Sequence, residues 1–253
     1  MNRYPIVQDM DLAGIGDPVL VVTGMRSGTH LTIDFLRRQF AEFASWKYPL
    51  EPLDQLYLPV DVLLSGPRWQ PPHWSTLRAL KVLRRPPRPI LKSHFLEADF
   101  INLRETQPHL ADWLEEKATV IFVSRQPEPM LRSLWAFLQI WEAESPPSWD
   151  EDFVKTRWLL AREQERAWGS FPRLLSLRFE EILGNPDTSL RQLEEGLGLT
   201  AHWRSPLLPK PLRNRWASRG SRLFHRKSPS TAILVPHELP PWNPDWDDLL
   251  SHS

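Results

Sequence analysis

Val19-Leu20-Val21-Val22-Thr23-Gly24-Met25-Arg26-Ser27-Gly28-Thr29-His30 is the most informative stretch of this 253-residue chain. The run Val19–Val22 follows Pro18, is rich in β-branched residues, and is too short for a helix. It is apolar on both faces, as a central strand of a parallel sheet must be. A turn containing Gly24 and Gly28 follows, and then Leu31, Phe35, Leu36, Phe40 and Phe43 recur at near-helical spacing. Strand, glycine-bearing loop and helix in this order aim backbone N–H groups and a helix N-terminus at a phosphate. The glycines permit the backbone conformations this needs, and Arg26 adds a fixed positive charge. An ordinary strand–helix turn has the same outline, so the meaning of this one depends on the rest of the chain.

Downstream segments extend the pattern. Pro89-Ile90-Leu91-Lys92 predicts a second strand ending in Ser93-His94, and Ala118 to Val123 a third running into Ser124-Arg125-Gln126-Pro127. Met130, Leu134, Phe137 and Leu138 predict a helix, another is expected over about 150–168, and a fourth strand over Leu174 to Phe179. Asp187 to Leu197 reads as a helix with Leu190, Leu193 and Leu197 on its core face and Gly198 as its C-cap. Strands alternating with helices imply an α/β fold whose parallel sheet is covered on both faces. Ligands bind such sheets at the carboxyl ends of the strands, and each of the first three strands carries its polar cluster there.

Length and composition suit one domain over residues 1–253. Basic and acidic side chains balance at 31 each, so no global field draws the chain to nucleic acid or an anionic membrane. Any anion must be held by a local cluster of donors. Cysteine is absent, which excludes disulfides, thiolate zinc sites, iron–sulfur clusters and cysteine nucleophiles. The start, MNRYPIVQDMDLAGIGDP, has no apolar stretch behind a basic end, and no run approaches the ~20 apolar residues of a membrane helix. A soluble, cytoplasmic protein is expected. Prolines and tryptophans are abundant, at 26 and 13. Residues 46–80 are expected to be loop-rich. With the Trp-rich segments 135–149 and 239–246, they carry no motif; Trp and Pro make rigid apolar walls, which suit a ligand pocket and ordinary packing alike.

Residues 21–36, VVTGMRSGTHLTIDFL, resemble the 5′-phosphosulfate loop of the sulfotransferases that use 3′-phosphoadenosine 5′-phosphosulfate (PAPS). That loop reads [KR]-S-G-T-[ST] after a hydrophobic strand. Arg26, Ser27, Gly28 and Thr29 match it, and His30 stands at the last hydroxyl position. Leu31 occupies the place of an aromatic residue that stacks on adenine in the cytosolic branch. About 100 residues on, VIFVSRQPEPMLRSLWAF resembles the family's 3′-phosphate segment, which places Arg125 and Ser133 on that phosphate. A guanidinium fork and a hydroxyl inside the following helix can grip one phosphate together, whereas a lone arginine more often pairs with a surface carboxylate.

Ile90-Leu91-Lys92-Ser93-His94 is similar to the family's Lys-[ST]-His segment, which implies His94 as catalytic base and Lys92 as a charge stabiliser at the sulfuryl group. An imidazole can take the proton of an acceptor hydroxyl or amine near neutral pH. Residues 174–199 resemble the R-Y-E-D-L region, with Phe179 at a tyrosine that contacts adenine. Arg219 and Gly220 match an Arg-Lys-Gly loop that folds over the nucleotide. The basic run Arg213 to Lys227 around them also reads as a solvated face. The family's carboxyl-terminal dimer motif is half present, at Lys227 and Thr231.

The resemblance implies a P-loop-NTPase-like three-layer sandwich with a central parallel sheet. It implies PAPS as co-substrate and 3′-phosphoadenosine 5′-phosphate (PAP) as product, without a metal. The partner would be a small-molecule acceptor, neither nucleic acid nor membrane. Two other readings stay open. A small-molecule or nucleotide kinase would use a similar loop, but Gly28 is followed by Thr29-His30 where the pattern G-x-x-x-x-G-K-[ST] has lysine. A catalytically degenerate nucleotide-binding protein is the other.

Overall fold

Every residue of the strand at Val19–Thr23 (β1) is buried, and the period-2 alternation of its side chains divides them between two cores. The computed structural model describes residues 10–43, 57–63, 76–94, 97–141, 151–169, 171 and 173–201. Their order is β1, α1 (Thr29–Gln39), β2 (Leu58–Pro59), α2 (Thr76–Leu83), β3 (Ile90–Ser93), α3 (Glu97–Thr106), α4 (Pro108–Lys117), β4 (Thr119–Ser124), α5 (Pro127–Trp141), α6 (Glu151–Trp168), β5 (Leu174–Arg178), α7 (Phe179–Gly184) and α8 (Pro186–Leu197). The five strands form one sheet in the order β2-β3-β1-β4-β5, and all four pairings are parallel.

Val19, Val21, Ile90, Ile121, Val123 and Leu177 face one side, against Leu31, Ile33, Phe35 and Leu36 of α1 and Leu190, Leu193 and Leu197 of α8. Leu20, Val22, Leu91, Val120 and Phe122 face the other, against α2, α3 and α4 and Trp168 of α6. The result is the expected α/β sandwich of three layers. Burying each such Val, Leu, Ile or Phe side chain contributes roughly 1.5–3 kcal/mol, which explains why the central strands read as unbroken apolar runs. A third cluster, Met130 and Leu131 with Trp158, joins α5 to α6.

Several boundaries differ from the sequence reading. Helix α1 ends at Gln39, because Phe40 turns extended (φ −119°), and Phe43 reaches the same core from a short 3₁₀ turn. Strand β5 stops at Arg178, and Phe179 opens α7 instead. Within 46–80 the structure has β2, a 3₁₀ turn at Val60–Leu63 and the start of α2, whose Ala79, Val82 and Leu83 are buried at helical spacing. Gly198 caps α8 in the left-handed region (φ 63°), as expected. Residues 239–246, most of 135–149, Arg219 and Gly220 lie outside the described residues. Among the described residues no helix is long and apolar enough to cross a membrane.

Candidate active site

The loop between β1 and α1 sits at the centre of the sheet, over the carboxyl ends of β3, β1 and β4. It closes through a Ser27 N–H donated to the Gly24 carbonyl at 3.3 Å. Gly28 has φ 106°, and a Cβ there would lie 2.6 Å from Cδ2 of Phe179. Only glycine meets both conditions. Arg26 is the one non-glycine residue with positive φ among the described residues, at 65°. For an L-residue that conformation costs about 1–2 kcal/mol, and such strain collects at ligand sites. Gly28 supplies no capping side chain to α1, and none of the first-turn residues is acidic. The helix therefore presents its positive end to the loop rather than neutralising it. Thr23 and Thr29 join hydroxyl to hydroxyl across the loop.

Arg26, Arg125 and Ser133 meet above this loop. The Arg26 Nε donates to Ser133 Oγ at 3.1 Å, and Arg125 Nη1 donates to the Arg26 carbonyl at 2.8 Å. Burial, and secondarily the neighbouring Arg125, pushes the Arg26 pKa down to about 10. Burial pushes Arg125 down to about 10 as well, against the opposing pull of Glu180. The Arg125 guanidinium carbon lies 4.2 Å from the centroid of the Phe179 ring, a cation–π contact. Its Nε is buried and has no hydrogen-bond partner among the described residues. Two desolvated, mutually repelling cations and an orphan donor form an environment that an anion relieves. A cavity of about 210 Å³ opens beside them, lined by Gly24, Ser27, Arg125, Trp158 and Arg178 among others.

The third cluster stands at the end of β3. In the parallel register Lys92 pairs with Val21 and shares its side of the sheet, where Lys92 Nζ lies 5.9 Å from the Tyr57 ring centroid. Tyr57 Oη is 2.9 Å from His30 Nε2. The His94 Nδ1 lies 2.7 Å from the Thr23 carbonyl oxygen. A carbonyl only accepts, so Nδ1 carries the proton, and in the neutral ring Nε2 is the basic nitrogen. Gln164 of α6 donates its Nε2 to the His94 carbonyl.

Among solved structures, a mouse sulfotransferase, SULT7A1, complexed with PAP superposes with a TM-score of 0.50 at 13% identity, over 93% of this chain and 83% of that one. The chain has the sulfotransferase fold. Retinol dehydratase in complex with androsterone and inactive cofactor PAP gives a TM-score of 0.45 at 14% identity, over 88% of this chain and 71% of that one. A sulfotransferase from Alicyclobacillus acidocaldarius gives 0.42 at 14% identity, over 87% of this chain and all of that one. No protein-family model and no curated protein matches the sequence.

Within this sulfotransferase fold, Arg26, Ser27, Gly28, Thr29, Lys92, His94, Arg125 and Ser133 converge on the carboxyl ends of three adjacent strands. His30 joins them through Tyr57. Phe179 is only 6% exposed, with one face toward Arg125 and an edge against Gly28, so it supports the loop from beneath. Four neighbours escaped the sequence reading: Thr23, Tyr57, Gln164 and Glu180. Thr23 could have been found as the last polar residue of β1. Tyr57 and Gln164 carry no local signal, because only the fold brings them to the site.

Proposed function

We propose that the protein is a PAPS-dependent sulfotransferase, moving the sulfuryl group to a hydroxyl or amine of a small-molecule acceptor. The observation that carries this reading is the contact of Arg26, Arg125 and Ser133 above the glycine loop, three residues from two motifs about 100 positions apart. The orphan Arg125 Nε and the acid-free start of α1 fit a doubly phosphorylated ligand.

In this account the backbone N–H groups of 26–30 other than that of Ser27, which closes the loop on Gly24, hold the 5′-phosphosulfate together with Arg26 and Thr29. Arg125 and Ser133 hold the 3′-phosphate, with Phe179 fixing the plane of the Arg125 guanidinium. Arg219 and Gly220, within the basic run Arg213 to Lys227, would contact the nucleotide as well. His94 Nε2 takes the proton as the acceptor oxygen or nitrogen forms its bond to sulfur. The sulfur–oxygen bond to the 5′-phosphate breaks in line, and the electron pair leaves on PAP. Lys92 neutralises charge at the sulfuryl oxygens, and Arg26 does so at the leaving phosphate. Fixed positive groups aimed at developing charge supply most of such catalysis, as in phosphoryl transfer.

The test is transfer of radiolabelled sulfur from PAPS to a panel of phenols, alcohols and amines, with PAP release followed in parallel. Labelled product is expected with wild-type protein and roughly a hundredfold less or lower still with His94→Ala. Equal product from His94→Ala would remove the base assignment, and no PAP release from any acceptor would remove the activity.

A further inference from the structure

Strand β3 ends at Ser93, which pairs with Val22, so His94 stands one residue beyond the ladder. Its backbone carbonyl has left the sheet, and its ring reaches across to the carbonyl of Thr23 at the end of β1. The donor to the His94 carbonyl comes from outside the sheet: Nε2 of Gln164, on α6. Gln164 is 4% exposed, and burying a carboxamide is costly unless it is hydrogen-bonded. One helical turn earlier, Ala161 packs so close to the glycine loop that a Cβ on Gly24 would lie 2.9 Å from its own Cβ. The helix is anchored on both sides of these two residues. Trp158 packs with Met130 and Leu131 of α5, and Trp168 packs into the core beneath α3 and α4.

Resting on the reading of His94 as the base, we infer that Gln164 is a positioning residue for His94, holding its main chain so that the ring keeps the Nδ1-protonated tautomer. Two hydrogen bonds from different elements fix this residue: Thr23 holds the ring and Gln164 holds the backbone. With both, Nε2 stays unprotonated and aimed along one direction. Because α6 touches Gly24 and His94 through neighbouring turns, it also sets the distance between the phosphate loop and the base.

The experiment uses the full chain labelled with ¹⁵N-histidine and long-range ¹H–¹⁵N NMR, with the His94 signals assigned by their loss in His94→Ala. The wild-type protein should show His94 as the Nδ1-protonated tautomer. Gln164→Met keeps the length and removes the donor. It should shift His94 toward a tautomer mixture and lower kcat ten- to hundredfold, the effect of a misplacement of about 1 Å. PAP affinity and the KM for PAPS should stay unchanged. Gln164→Asn, which keeps the carboxamide but is one methylene short, should do the same and serves where the methionine variant does not fold. An unchanged His94 tautomer in a folded variant overturns the inference. So does a loss of PAP affinity parallel to the loss of kcat, which marks a general structural role. Absence of sulfuryl transfer by the wild-type protein overturns the functional reading instead, and the NMR comparison then still decides whether Gln164 holds the ring.

Discussion

The His94 Nδ1 sits 2.7 Å from the carbonyl oxygen of Thr23, the last residue of the central strand. One strand thus ends in the proposed phosphate loop and also orients the proposed base, so the two halves of the proposed chemistry share a single rigid support. His94→Ala should lower turnover by roughly 10²–10⁴-fold, the usual contribution of a general base. Calorimetry should find PAP binding unaltered in the same variant. Turnover within a few-fold of wild type would show that another group takes the proton.

In the proposed site Arg125 would offer the 3′-phosphate a half-buried guanidinium whose buried Nε has no hydrogen-bond partner among the described residues. Charge-assisted hydrogen bonds contribute about 1.5–3 kcal/mol each, so Arg125→Ala should weaken PAP binding by roughly ten- to a hundredfold. Binding of adenosine 5′-phosphate, which has no 3′-phosphate, should change far less. Equal losses for both ligands would place Arg125 elsewhere.

Strain and desolvation at Arg26 set up an exchange of stability for binding. Arg26→Gly removes a positive-φ side chain and a partly buried, desolvated cation, so it should raise the melting temperature by a few degrees, as about 1 kcal/mol does in a chain of this size. The same variant should bind PAP at least tenfold more weakly. A lower melting temperature would mean that the hydrogen bond to Ser133 outweighs the strain.

The lowered pKa values of Arg26 and Arg125 give binding a defined alkaline limit. Both lie near 10 in the folded protein, held by burial below the ordinary guanidinium value of the unfolded chain. The unfolded chain therefore binds more protons between those values, and these two groups make stability rise with pH across that window. Bound phosphate has the opposite preference, since it favours the charged guanidiniums. PAP affinity should be level from pH 7 to 9 and fall as pH rises through about 10, measured by titration at constant ionic strength. Level affinity up to pH 11 would contradict the assignment.

Gly28→Ala places a methyl group 2.6 Å from the Phe179 ring in a backbone conformation that alanine resists. A loss of at least about 2 kcal/mol is expected from strain of this kind, read as a lower denaturant midpoint. Phe179→Leu should relieve part of it, and no relief would mean that the backbone conformation alone sets the cost.

The central strands and the loop were legible because their burial on both faces writes an unbroken apolar run, and the loop needs glycine at fixed positions. Helices α3 and α4 carry no comparable signal. In α4 the buried set is Leu110, Ala111, Trp113 and Leu114, while α3 mixes the buried Asp99 and Leu103 with the exposed Ile101. Strand β2 is only two residues long and contains a proline, so its place at the sheet edge comes from pairing with β3 rather than from its own pattern. At the site, Arg125 and Ser133 were readable at a spacing of eight. The bond from Arg26 to Ser133 was not, because it joins residues 107 positions apart.

Selection of a 3′-phosphorylated adenosine nucleotide by the loop and Arg125 is the central proposal. Calorimetric titration with PAP, set beside ATP plus magnesium, tests it most directly. Micromolar binding of PAP with little or none of magnesium-ATP is the predicted result. Preference for magnesium-ATP would contradict the account in favour of a kinase, and binding of neither would contradict it in favour of a protein that handles no nucleotide.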